Sequence, residues 1–204
     1  LQGADLMKRI VLGTLLSSVA AFALQVHPIP VELEQGKKYR EFTIDDDSGK
    51  YQVYLKKWTQ DAKGQEVLED TDAVVAYPKV LQAPKKIKVY KKRSNLIPQE
   101  ESYRLILKEL NIDKVEGQTR VLKTLSIPVF ILPKNQDPKL ELECKGNTLQ
   151  IKNSGNMHYK ILSVADKKMT EYVLPNQIKE VEDVKASGTV ETNRGNYEYK
   201  CESK

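Results

Sequence analysis

A two-part, all-β architecture is predicted for this chain by three features of its sequence. Short runs that alternate apolar and polar residues recur along most of its length, divided by turn-forming clusters every eight to fifteen residues or so. A first series of roughly seven such runs, the number of a small β-sandwich, closes on a long apolar stretch at residues 120–133 (RVLKTLSIPVFILP). The polar, proline-ended segment Lys134, Asn135, Gln136, Asp137, Pro138 then reads as a hinge, and a second, shorter series of strand-like runs follows it.

The N-terminus is read first because it is set apart from the fold. Lys8 and Arg9 form a basic start, an apolar run broken by Gly13, Thr14, Ser17 and Ser18 follows, and Ala21-Phe22-Ala23 is a small-x-small cleavage site. The run is shorter than the ~18 residues a spanning helix needs, so residues 1–23 are expected to be a secretory signal with a short upstream extension. The expected units are then residues 24–133 and 134–204.

Within the first unit, residues 26–33 (VHPIPVEL) are extended, with Pro28 and Pro30 marking an edge or a kink. Residues 39–44 alternate and run into the turn cluster Asp45-Asp46-Asp47-Ser48-Gly49. Residues 51–58 (YQVYLKKW) place Tyr51, Val53 and Leu55 on one face, and Asp61-Ala62-Lys63-Gly64 turns the chain again. Residues 73–77 and 79–82 are short pieces broken by Pro78 and Pro84. Residues 86–92 point Ile87 and Val89 inward and lysines outward. Residues 103–110 (YRLILKEL) fit helix or strand by period, and their length and neighbours favour strand.

Residues 120–133 carry an apolar face at period two through Val121, Leu125, Ile127, Val129 and Ile131, interrupted by Lys123. On the other face Arg120, Thr124 and Ser126 are polar, whereas Phe130 and Leu132 are apolar. The first half is therefore expected to be wet on one side and the second half buried on both. Pro128 cannot donate to a ladder, so one side of the strand should be an edge there. A long apolar edge is a hazard unless it is covered or used to pair with another chain.

In the second unit, strands are expected at residues 140–144, 148–151, 159–164, 172–174, 178–184, 188–192 and 197–201. About seventy residues are marginal for one core, so a covalent staple is physically sensible. Cys144 and Cys201 are the two cysteines of the chain, and an even count behind an export signal predicts one disulfide.

Composition excludes several functions. The 33 basic and 28 acidic residues give a formal charge of +5, with the lysines scattered among acids, which argues against nucleic acid. The two histidines, His27 and His158, fall in different units, and no zinc spacing, phosphate loop or nucleophile motif occurs. Asp45-Asp46-Asp47 lacks the spaced oxygens of a calcium loop. Glu100-Glu101 and Glu180, Glu182, Asp183 read as solvated charges. No enzyme, metal or cofactor is expected.

Several short stretches in order resemble one family. They are residues 24–36 (LQVHPIPVELEQG), Trp58, the element Tyr77-Pro78-Lys79-Val80-Leu81-Gln82-Ala83-Pro84 followed by Ile87-Lys88-Val89, then Glu101-Ser102-Tyr103-Arg104-Leu105, and Ile127-Pro128-Val129-Phe130-Ile131-Leu132-Pro133. Asn153-Ser154-Gly155-Asn156 adds a turn in the second unit. Together they resemble the periplasmic chaperones of chaperone–usher pilus assembly, as a divergent branch. The resemblance implies two immunoglobulin-like β-sandwich domains joined by a short hinge, working in the periplasm on pilus subunits and an outer-membrane usher. It implies donor-strand complementation, in which the chaperone lends a strand to a subunit that lacks one. The implied donor residues are Val121, Leu125 and Ile127, with Leu122 in the alternative register and Lys123 interrupting the face. Self-association through the same edge is also implied.

The sequence departs from the family where a first-strand arginine and a seventh-strand lysine hold the subunit's terminal carboxylate. Here Pro30 or Val31, and Pro128, stand at those positions. The cations that remain for that role are Arg104, Lys88, Arg120 and Lys123, with Arg104 first because its fork suits a carboxylate. The competing reading is a two-domain immunoglobulin-like structural or adhesive protein of a surface or pilus.

Overall fold

A computed structural model describes residues 25–45, 49–83, 85–92, 96–111 and 121–201. The expected signal segment, Asp46 to Ser48 of the first turn cluster, and Arg120 lie outside the described residues.

Among the described residues the chain forms seventeen strands and no helix. In chain order they are β1 (Gln25–His27), β2 (Val31–Leu33), β3 (Tyr39–Asp45), β4 (Lys50–Gln60), β5 (Glu66–Asp70), β6 (Val74–Tyr77), β7 (Val80–Gln82), β8 (Lys85–Lys91), β9 (Glu101–Glu109) and β10 (Thr124–Ile131). They continue as β11 (Leu140–Lys145), β12 (Thr148–Asn153), β13 (Tyr159–Val164), β14 (Lys167–Val173), β15 (Ile178–Val181), β16 (Ser187–Thr192) and β17 (Gly195–Lys200).

The first ten strands make two sheets, β1-β3-β8-β6 and β2-β10-β9-β4-β5, with β7 also on β4. Alternation sets which side chains meet between them. Val26, Phe42, Ile44, Val74, Ala76, Ile87 and Val89 from the first sheet pack on Tyr51, Val53, Leu55, Tyr103, Leu105, Leu107, Ile127, Val129 and Ile131 from the second. The run expected at residues 26–33 is two strands rather than one. β1 pairs with β3 in one sheet and β2 with β10 in the other, so the chain changes sheets across Pro28 and Pro30.

One strand escaped the sequence reading. All five residues of β5 (EVLED) are exposed, so it carries no apolar period to detect. It exists because it completes the edge of β4, pairing Lys56–Gln60 with Asp70–Glu66. The long run at 120–133 is shorter than expected. Its ladder begins at Thr124, and Val121, Leu122 and Lys123 are outside it.

The second pack sets β11-β12-β15 against β14-β13-β16-β17. Leu149, Ile151 and Val181 face Tyr159, Ile161, Val164, Val173, Val190 and Tyr199. Cys144 and Cys201 form the disulfide, with Cα atoms 5.4 Å apart and a sequence separation of 57, tying β11 to the end of β17 across the two sheets.

The two packs meet through apolar residues on the outer face of the first pack's second sheet. Trp58, Phe130 and Leu132 gather with Met157, Leu174 and Tyr172. Asn153 is fully buried and donates to the carbonyls of Met157 (2.8 Å) and Val173 (2.9 Å), while accepting from the amide of Gly155 (3.1 Å). At Gly155 a Cβ would lie 2.3 Å from the backbone nitrogen of Lys139, so the turn closes only around glycine. Asn156 then bridges the packs, donating to the carbonyls of Pro98 (3.0 Å) and Asn135 (2.8 Å).

Glu100 corrects the expectation of a solvated charge. It is 4% exposed and receives His158 at 2.8 Å through Nδ1, with the His158 ring stacked on Phe130 at 3.7 Å between centroids. Sequence distance concealed this pair, because its partners belong to different packs and are brought together only by their docking.

A half-open strand above a cationic cleft

The odd residues of β10 face the first core and the even residues face outward, as the alternation predicts. β10 pairs with β9 along its whole length, from Thr124 opposite Lys108 to Ile131 opposite Glu101. Its other side is different. β2 joins it in parallel only at Val129, Phe130 and Ile131, leaving that side without a strand partner among the described residues from Thr124 to Pro128. Pro128 thus sits where the second ladder is about to begin, a position that fits its missing N–H.

The residues read as donors fall along this open half and just before it. Val121 is 86% exposed and Leu122 40% exposed. The Lys123 amide donates to the Glu109 carboxylate at 2.9 Å. Leu125 is half-buried against the first core, and Ile127 is fully committed to it. The exposed apolar side chains therefore lie before the strand, and the odd positions become progressively buried along it.

Beneath the end of the open edge lies a cleft of about 600 Å³ between the two packs. Its floor is the outer face of the first pack's second sheet, where even positions of β4, β9 and β10 bring Trp58, Gln60, Arg104 and Pro128 together. Its far wall is Lys160, Thr170, Glu171, Tyr172 and Lys179 from the second pack, with Ile29 on the rim. Arg104 stands directly opposite Pro128 in the ladder. Its guanidinium carbon lies 3.7 Å from the Trp58 ring centroid and 5.8 Å from that of Tyr172. Its Nε donates to Glu66 Oε2 at 2.6 Å. Lys179 pairs with Glu171, whereas Lys160 has no carboxylate partner among the described residues and sits over Tyr172 at 5.9 Å. Three cations against two carboxylates leave the cleft with one positive charge in surplus. Burial pushes the Tyr172 phenol up, with Arg104 pulling it the other way, so it remains a neutral donor at physiological pH.

The other cations proposed for an anchor lie elsewhere. Lys88 is on β8 in the opposite sheet, paired with Glu41 at 3.5 Å and set over the Tyr39 ring. Arg120 lies outside the described residues. Sequence reading missed Glu66, which sits on the unread strand β5. It also missed Lys160, whose outward position at period two in residues 159–164 was the one signal available.

No protein-family model matches the chain, and no curated protein sequence matches it. Solved structures do match its fold. A chain of the CsuC–CsuE chaperone–tip adhesion subunit pre-assembly complex, from the archaic chaperone-usher Csu pili of Acinetobacter baumannii, is 17% identical. The match covers 86% of this chain and 97% of that one, with a TM-score of 0.66. The E. coli chaperone DraB is 16% identical over 89% of this chain and 97% of its own, at 0.65. The periplasmic chaperone SfaE is 13% identical over 88% and 99%, at 0.64. The chain has the two-sandwich fold of these chaperones.

Proposed function

We propose that this protein is a periplasmic chaperone of chaperone–usher pilus assembly, exported behind its N-terminal signal and divided into two domains after Pro133. The observation that carries this reading is the half-open β10. One side of the strand has a ladder partner throughout, the other is filled by β2 only from Val129, and exposed apolar residues lead into the unfilled stretch. That is the arrangement needed to add a strand to another chain, with backbone hydrogen bonds supplying affinity and alternate side chains supplying specificity.

In this reading a pilus subunit, an immunoglobulin-like sandwich lacking its last strand, pairs its edge with residues 121–127. Val121 and Leu125 enter or flank its groove, with Leu122 doing so in the alternative register, and Ile127 marks where the strand returns to its own core. The subunit's C-terminus runs along the open edge into the cleft, where Arg104 and Lys160 receive the carboxylate that the family's usual pair would hold. Lys88 faces away from the cleft and is not part of the anchor. The complex is then delivered to an outer-membrane usher without a nucleotide, because the subunit completes its folding on strand exchange.

Co-expression in the periplasm with small secreted immunoglobulin-like proteins encoded beside this chain tests the reading. A one-to-one complex with a neighbour that is degraded when expressed alone is expected, and Leu125→Glu should abolish its recovery. A solitary protein that leaves every neighbour's fate unchanged would instead support a structural or adhesive role.

A further inference from the structure

β5 is an unexplained element of the first pack. Its five residues are exposed and it adds nothing to the core, yet the hairpin that carries it is fastened at many points. Asp61 Oδ1 accepts from the amides of Lys63 and Gln65, both at 2.9 Å, and the Gly64 amide donates to the Asp61 carbonyl at 2.9 Å. Gln60 ties the base of the hairpin to the second pack, donating to the Tyr172 carbonyl at 2.8 Å and accepting from the Leu174 amide at 2.9 Å. Gly64, at φ +73°, passes so close to the second pack that a Cβ would lie 3.0 Å from the Ile178 carbonyl oxygen. A strand that buries nothing is thus fixed in place relative to the cleft.

What it presents there is Glu66. In the ladder Glu66 lies opposite Gln60, and Arg104 lies opposite Lys56 on the far side of β4. Arg104 therefore reaches diagonally across Trp58 to meet Glu66. The guanidinium lies against the indole at 3.7 Å, and its Nε edge is taken by Glu66. Among the described residues nothing bonds Nη1 or Nη2. An ion pair with one partner still open to solvent contributes modestly to stability by itself. Its consequence is geometric, since a fork held by one face and one edge has its end-on pair of donors fixed for a planar acceptor.

We propose that Glu66 and Trp58 are positioning residues for a chain-terminal carboxylate, holding Arg104 so that its Nη1/Nη2 edge is presented to the terminus of the docked polypeptide. The inference rests on the cleft's proposed role as the carboxylate site. It excludes the opposite role for Glu66, that of an internal carboxylate which occupies Arg104 and must be displaced, because the two acceptors use different edges of the fork.

The test uses the full chain and a short synthetic peptide alternating valine and threonine, supplied as free acid and as C-terminal amide. Trp58 is the chain's single tryptophan and lies under the guanidinium, so its fluorescence reports occupancy. The wild type should prefer the acid, and Arg104→Gln should remove that preference. Glu66→Ala should reduce it about tenfold, the scale of one charge-assisted hydrogen bond. Glu66→Gln, whose amide oxygen still accepts from Nε, should keep it. Glu66→Ala matching the wild type, or both Glu66 variants strengthening the preference, would overturn the positioning role while leaving the Arg104 site intact. Arg104→Gln retaining the full preference would overturn the carboxylate site itself, and the positioning role with it.

Discussion

The two halves of β10 share one strand, one partner in β9 and one apolar face, yet they meet different surroundings. From Val129 to Ile131 the strand has a ladder on both sides, with odd side chains in the first core and Phe130 in the junction with the second pack. From Thr124 to Ser126 it has one ladder among the described residues, and side chains that are exposed or half-exposed. Backbone sequence preference cannot account for the contrast, since both halves are good β formers. What differs is what is docked alongside. β2 and the second pack reach only the C-terminal half. The locked half anchors the strand, and the open half keeps one side without a strand partner among the described residues.

The locked half of β10 should carry the largest effects on stability. Phe130→Ala removes a fully buried ring that stacks on His158 and touches Trp58 and Tyr172. It should lower stability in denaturant unfolding by roughly 3–5 kcal/mol. Reducing the Cys144–Cys201 bond acts on the cover from within the second pack. It frees a loop with 57 residues of separation and should lower stability by about 4 kcal/mol on the chain-entropy scale, seen as an earlier unfolding transition under reducing conditions. Asn153→Ala leaves two buried carbonyls and one amide without the partner that binds them, and should cost about 2–3 kcal/mol in the same measurement.

On the open side the expected order reverses, with small effects on folding and large ones on capture. Leu125→Ala, at a half-buried position, should cost about 1 kcal/mol. Val121→Glu should change stability by less than about 0.5 kcal/mol, because its side chain already faces water. Both should reduce recovery of a co-expressed subunit. A stability loss at Val121 as large as that at Phe130 would erase the distinction between the halves.

Much of this was legible from local pattern. Period-two alternation located most of the strands and the inward faces of β4, β8 and β10, and Pro128 marked the edge. It also showed that Phe130 and Leu132 differ from Thr124 and Ser126, though not what covers them. The alternation failed at β5, where a wholly exposed edge strand has no apolar signal. It failed at Glu100, whose carboxylate reads as solvated until the docking of two distant segments sets His158 against it. Of the cleft, Arg104 was named from its strand and its fork, while Glu66 and Lys160 were not, because neither belongs to a local motif.

Local sequence pattern alone specifies the all-β class, the two series of strands, the cysteine pair and the strand that carries the edge. These depend on side-chain periods and turn chemistry that act over a few residues. Tertiary docking alone set that β2 begins at Val129's level, that the second pack covers Phe130, and that Glu66, Trp58, Arg104 and Lys160 share one cleft. Those outcomes depend on how separately formed sheets dock, and docking is set by contacts between residues far apart in the chain, where no local period records it.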